Sequence, residues 1–120
     1  FDCYRPRDFQ QKLWDVMPDI NYVAHPSKGS MHNRGVAIDL TIVDSLGLEL
    51  DMGTEFDFLG KEAHFDYAKL PKEVISNRKF LRAKMEQYGF VGIRTEWWHF
   101  SHIEKIYPLS NYRWPCDKKL

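Results

Sequence analysis

The sequence reads as a small domain of the α+β class, on three observations. Two stretches, around residues 7–17 and 76–88, repeat apolar side chains at three-to-four spacing, the period of a half-buried helix. Three others, 36–43, 90–95 and 97–103, have the alternation of strands. At 120 residues, with 43% hydrophobic and 15% aromatic content, the chain can bury one core and is too short for two. A single catalytic-sized domain over residues 1–120 is the expectation.

The elements follow in order. Pro6 opens a helix over Arg7–Met17, with Phe9, Leu13, Val16 and Met17 on one side, and Pro18 closes it. Residues 20–33 contain Pro26 and Gly29 among mixed polar side chains, which predicts a loop ending at His32. In the strand over Val36–Val43, the residues Val36, Ile38, Leu40 and Ile42 take one face, and Ala37, Asp39, Thr41 and Val43 the other. A hairpin turn around Gly47 follows, then an irregular segment over Asp51–Phe58. A second helix is expected to begin near Ser76, capped by its hydroxyl, to bury Phe80, Leu81, Met85 and Tyr88, and to stop at Gly89. Strands over Phe90–Thr95 and Trp97–Ile103 complete the set, and the proline-containing tail from Pro108 reads as surface.

Chemistry concentrates in two blocks, Ser30-Met31-His32-Asn33-Arg34-Gly35-Val36-Ala37-Ile38-Asp39 and Glu96-Trp97-Trp98-His99. Together they offer two imidazoles and a carboxylate, a donor set that holds a divalent metal with one position open, and a second carboxylate placed to act as base. The helical His-Glu-x-x-His form is absent, so strands and turns would have to carry such a site. Each residue also has a plainer reading. His99 in an aromatic strand suits a hydrogen-bonded core histidine, Asp39 a paired carboxylate, His32 a loop residue, Glu96 a solvated turn, and Trp97-Trp98 simple packing. On residue types and spacing alone, the metal reading and the plain reading stand level.

The block from Ser27 to Thr41 resembles the Ser-x-His-x-x-Gly-x-Ala-x-Asp signature of the VanX-type D-alanyl-D-alanine dipeptidases. These are zinc peptidases grouped with D,D-carboxypeptidases, lysostaphin-like endopeptidases and the hedgehog domain. Tyr4-Arg5-Pro6, Met52-Gly53-Thr54-Glu55-Phe56-Asp57-Phe58, Glu96-Trp97-Trp98-His99-Phe100 and the helix from Asn77 to Gly89-Phe90 are similar in the same order, so the resemblance covers nearly the whole chain. It implies a small antiparallel sheet presenting the zinc ligands, with helices packed on its outer side. It makes His32, Asp39 and His99 ligands to one zinc ion per chain and Glu96 the general base. It also makes Arg5 the oxyanion stabiliser, Asp57 the partner of the substrate ammonium, and Ser30 part of the carboxylate end.

What the resemblance implies for function is hydrolysis of D-Ala-D-Ala or a related peptidoglycan dipeptide. The alternatives are a carboxypeptidase or endopeptidase cutting stem peptides, and a zinc-stabilised binding domain without activity. Glu96 argues against the last, because a structural site has no use for a base; Asp57 favours a free-amine substrate over a longer stem. The implied location is the periplasm or cell envelope, with the cytoplasm as the alternative. Two features depart from the family. Its N-terminal portion, which helps wall the pocket, is missing before Phe1, so residues are expected to precede this chain. Cys3 and Cys116 also lie outside the pattern. From the residues, a terminal disulfide and two separate thiols are equally good readings, and an oxidising envelope favours the disulfide.

Other classes are disfavoured. Seventeen basic residues balance seventeen acidic ones with no cationic run, which makes nucleic acid a poor partner. No stretch approaches the ~20 apolar residues of a membrane-spanning helix, and the first residues do not have the pattern of a signal peptide.

Overall fold

A computed structural model describes residues 1–104 and 106–115. The order is helix α1 (Arg7–Val16), a 3-10 turn (Met31–Arg34), strand β1 (Ala37–Asp39), a second 3-10 turn (Lys61–Ala63), helix α2 (Lys72–Gln87), and strands β2 (Phe90–Gly92) and β3 (His99–His102). The sheet is antiparallel with β3 in the middle, in the order β1-β3-β2. The α+β class and the antiparallel sheet expected from the sequence are therefore present. The expected Cys3–Cys116 disulfide lies outside the described residues, because Cys116 is not among them.

The core lies on one face of this sheet. Met52, Ala63, Leu81, Trp97, Trp98 and Phe100 are buried together, with Ile38, Leu40, Phe56, Met85 and Phe90 packed around them. Trp97 and Trp98 meet edge-to-face with centroids 5.3 Å apart, and the Trp97 indole N–H donates to Thr54 Oγ1 at 2.8 Å. Because β3 is central, its residues are covered on both sides, and His99, Phe100 and Ser101 are all buried.

The strands are shorter than the alternation predicts. β1 ends at Asp39, although Leu40 N still donates to Trp98 O at 3.1 Å, because beyond this point the neighbouring chain turns at Trp97-Trp98 and offers no further ladder. The expected hairpin around Gly47 is present, closed by the Val43–Glu49 bridge and by Asp44 Oδ1, which accepts from Leu46 N and Leu48 N.

The second helix departs from the expectation in start and in face. It begins a turn earlier, after Pro71, and Ser76 lies inside it. Its buried residues are Val74, Arg78 and Leu81, while Phe80 and Tyr88 are exposed. The periodicity misleads because a cation occupies the buried stripe. Arg78 reaches Met52 O at 2.7 Å, His64 O at 3.0 Å and Glu62 O at 3.0 Å, so its donors are satisfied by backbone carbonyls. Burial lowers its pKa to about 10, which leaves it charged at neutral pH. Gly89, at φ +82, then ends the helix as expected.

In α1 the expected apolar stripe is not core. Phe9 and Val16 are exposed, and the one buried residue is Gln10. Leu13, Val16 and Met17 of this stripe line a cavity, while the Phe9 ring lies under Lys12 and Arg113.

Arg78 joins both ends of the segment 52–64 to α2. Arg78→Met should cost about 2–4 kcal/mol, since three carbonyls lose a charged donor. Denaturant unfolding checks this, and a loss below about 0.5 kcal/mol would mean that water replaces the guanidinium freely.

Candidate metal centre and active site

His32 is delivered by a 3-10 turn whose start is closed by a reciprocal cap. Ser30 Oγ accepts from His32 N at 3.3 Å, and Asn33 Oδ1 accepts from Ser30 N at 2.8 Å. Gly35, at φ +67, reverses the chain into β1, a conformation that suits glycine. Asp39 is the last residue of β1, His99 is the first of β3, and the register places them directly opposite each other. A cross-strand pair and one turn thus supply three side chains to one point.

The distances test whether a metal fits there. His32 Nε2 lies 3.1 Å from His99 Nδ1, His99 Nδ1 lies 3.0 Å from Asp39 Oδ1, and His32 Nε2 lies 3.3 Å from Asp39 Oδ1. Ligands in a tetrahedral zinc shell stand roughly 3.3–3.5 Å apart, so the triangle needs to open by only a few tenths of an ångström. Tautomers agree. His32 Nδ1 is 2.6 Å from the Cys3 carbonyl oxygen, which can only accept, so Nδ1 carries the proton and Nε2 presents a lone pair to the centre. His99 Nε2 is held by Ser101 Oγ at 3.0 Å, leaving Nδ1 for the same point. The three residues are only 3%, 4% and 8% exposed, too buried for water to satisfy converging lone pairs. Their donor set suits a metal ion.

The charges of the cluster shift the titration of its members. Burial alone would raise Asp39, yet hydrogen bonds from His32 and His99 hold it at about 2. Burial opposes a charge on His32, but the hydrogen bond and charge of Asp39 outweigh it and raise the imidazole. Glu96 stands one turn before His99, with Oε2 3.8 Å from His99 Nδ1. Burial, reinforced by the charges of Asp39 and Asp57, pushes it up to about 7, where a carboxylate can take and return a proton near neutral pH.

All seven residues singled out in the sequence, Arg5, Ser30, His32, Asp39, Asp57, Glu96 and His99, line one cavity of about 650 Å³. Its apolar wall includes Leu13, Val16, Met17 and Ile20 of α1 and the following turn, which explains why that helix keeps its apolar face open. Asp57 adopts a left-handed backbone at φ 60, and partial burial beside Asp39 raises its pKa. Arg5 donates from Nε to Asp2 Oδ2 at 3.0 Å, from Nη2 to the same oxygen at 2.5 Å, and from Nη1 to Gln10 Oε1 at 3.0 Å. Among the described residues these contacts use three of its five N–H groups and leave one hydrogen on each terminal nitrogen.

Several residues of the site escaped the sequence reading. Asn33, fully buried, donates to Arg5 O at 2.9 Å; its place three residues after Ser30 was a usable capping signal. Asp2 accepts from Asp39 N through its carbonyl at 2.7 Å, and no pattern marks a backbone oxygen. Gln10 and Ser101 likewise become visible only by contact.

Residues 1–117 match the Peptidase M15 family, described as D-ala-D-ala dipeptidase. The chain is 43% identical over 117 residues to the D-alanyl-D-alanine dipeptidase of Escherichia coli (strain K12), covering 97% of this chain and 61% of that protein. It is 39% identical over 88 residues to the protein of the same name from Enterococcus faecalis (strain ATCC 700802 / V583), covering 72% and 42%. It is 36% identical over 104 residues to that of Enterococcus faecium, covering 82% and 52%. The chain therefore spans less than two thirds of each of these relatives.

The raised pKa of Glu96 sets a pH signature in the metal-free protein. The unfolded chain loses this proton near 4.5 and the folded one near 7, so stability falls as pH rises through that window. Glu96→Gln should abolish the fall, making the metal-free variant more stable than its parent at pH 8 by on the order of 1–3 kcal/mol, with no such gain at pH 4. Urea unfolding in chelator at both pH values measures it; equal differences at the two would detach the effect from Glu96 ionisation.

Proposed function

We propose that this chain, which belongs to the Peptidase M15 family of D-Ala-D-Ala dipeptidases, carries the hydrolytic site of a zinc-dependent enzyme that splits D-Ala-D-Ala or a related peptidoglycan dipeptide. The observation carrying this reading is the convergence of His32 Nε2, His99 Nδ1 and Asp39 Oδ1 in one cavity beside a Glu96 tuned to about 7. His32, Asp39 and His99 would hold the zinc ion, which would supply a Lewis acid for the scissile carbonyl and lower the pKa of water toward ~7.

The chain's own residues do the rest. Glu96 accepts the proton of the attacking water and returns it to the leaving amine, which a carboxylate near 7 can do in both directions. Arg5, with one hydrogen uncommitted on each terminal nitrogen, donates to the developing oxyanion as a fixed fork. Asp57 receives the substrate ammonium: a cation there stabilises the carboxylate that burial and Asp39 otherwise disfavour. Ser30, already committed as the cap of the His32 turn, presents its outer side to the carboxylate end. A peptidoglycan substrate favours the periplasm or cell envelope for this enzyme, with the cytoplasm as the alternative. No described helix is long and apolar enough to cross a membrane.

One observation favours the second reading, a carboxypeptidase acting on stem peptides. A cavity of about 650 Å³ lies in the range that takes drug-sized ligands and exceeds what a dipeptide fills. The amine decides between the two. If Asp57 meets a free ammonium, acylating that amine leaves a desolvated carboxylate unpaired, and kcat/KM for N-acetyl-D-Ala-D-Ala should fall by 10²-fold or more. Comparable values for the two substrates would transfer the chain to the carboxypeptidases.

The chemistry has its own checks. Glu96→Gln should lower kcat by roughly 10²–10⁴ while one equivalent of zinc stays bound, and His99→Ala should lose the metal itself. Zinc content by elemental analysis after chelator-free purification, read beside kcat, separates these outcomes. A protein that retains full activity after exhaustive chelation would overturn the metal mechanism.

A further inference from the structure

Gln10 is the sole buried residue of α1 among those described, and at 1% exposure it ranks with Trp98, Phe100 and Asn33 as the most enclosed large side chains. An amide in such a place costs stability unless both of its ends are bonded. Both are. Arg5 Nη1 donates to Gln10 Oε1 at 3.0 Å, and Gln10 Nε2 donates to Ala24 O at 2.8 Å. A guanidinium only donates and a carbonyl only accepts, so the amide has one possible orientation.

The other support of Arg5 is asymmetric. Asp2 grips Nε and Nη2 through a single oxygen, Oδ2, and its side chain is 30% exposed. One acceptor atom is a pivot, about which the guanidinium plane can still swing. Gln10 provides the second fixed point, on the opposite terminal nitrogen, from a helix and with its own far end tied to the loop carbonyl of Ala24.

We propose that Gln10 is a positioning residue for Arg5, holding the guanidinium so that its uncommitted hydrogens face the reacting carbonyl. This rests on the reading of Arg5 as oxyanion donor. The worth of such a donor depends on its alignment at the moment charge develops, so a swinging guanidinium loses turnover before it loses substrate affinity.

Two Gln10 variants and an Arg5→Ala background, read by kinetics, melting temperature and NMR, test it in the full chain loaded with zinc. Gln10→Met keeps the volume and removes both hydrogen bonds; kcat for D-Ala-D-Ala should fall about 5–30-fold with KM within about twofold. Gln10→Glu keeps an acceptor for Arg5 but sets an oxygen against Ala24 O. It should lower the melting temperature yet hold kcat within about threefold of the parent. In an Arg5→Ala background, Gln10→Met should add no further loss of kcat. Nitrogen-15 NMR supplies the readout independent of turnover: the Arg5 Nη signals, resolved in the parent because the clamp slows rotation, should merge in Gln10→Met.

A purely structural role predicts the opposite pattern, with kcat of both variants tracking their melting temperatures and the loss persisting without Arg5; that result overturns the proposal. So do Arg5 Nη signals that stay resolved in Gln10→Met. Should the parent fail to cleave D-Ala-D-Ala, the proposed function falls, while the NMR comparison still decides whether Gln10 holds Arg5. If Gln10→Met does not fold, the Gln10→Glu pair of kcat and melting temperature decides in its place.

Discussion

Three lone-pair donors buried within 3.3 Å of one another are the constraint on which the rest of this molecule depends. Such a cluster is unfavourable unless a cation sits in its centre or protons are borrowed to replace it. Against burial, hydrogen bonds from His32 and His99 hold the Asp39 pKa low, and Asp39 raises that of His32. Every neighbouring element serves to hold the three side chains in place against it. The sheet register sets Asp39 opposite His99, the capped turn aims His32, and the Cys3 carbonyl and Ser101 hydroxyl take the outward nitrogens.

The segment Asp2–Arg5 belongs to this framework as much as the sheet does. Its carbonyls receive Asp39 N, His32 Nδ1 and Asn33 Nδ2 in turn, and Arg5 N donates to His32 O. The same four residues end in the guanidinium that lines the cavity. The His32, Asp39 and His99 cluster and the Arg5 guanidinium are thereby fixed to one piece of backbone, so their relative placement does not rely on a flexible loop. On the far side, Arg78 performs a comparable service for the segment carrying Asp57, through Met52 O, Glu62 O and His64 O.

A buried cation and a buried amide explain where amphipathic pattern fails as a guide here. Arg78 occupies a core position because carbonyls surround it, and this displaces Phe80 and Tyr88 to the surface. Gln10 occupies another because Arg5 needs an acceptor, while Val16 of the same helix is exposed at the cavity. In both cases polar satisfaction, which involves atoms distant in sequence, overrides a local count of apolar side chains.

Sequence alone carried the class of fold, the antiparallel sheet implied by family resemblance, and the residue types of the site. Periodicity marked the helices and strands, and the blocks around His32 to Asp39 and Glu96 to His99 named the donors, because local spacing and chemical type are properties of the chain itself. Helix α2's true start, the early end of β1, and the parts of Gln10, Asn33, Asp2 and Ser101 were decided by tertiary structure. The triangle of 3.0–3.3 Å contacts was decided there too, since it depends on register between strands some sixty residues apart. Spacing in sequence can nominate a ligand, but only the folded chain sets the distance between lone pairs and the dielectric around them, and those two quantities determine what the site can hold.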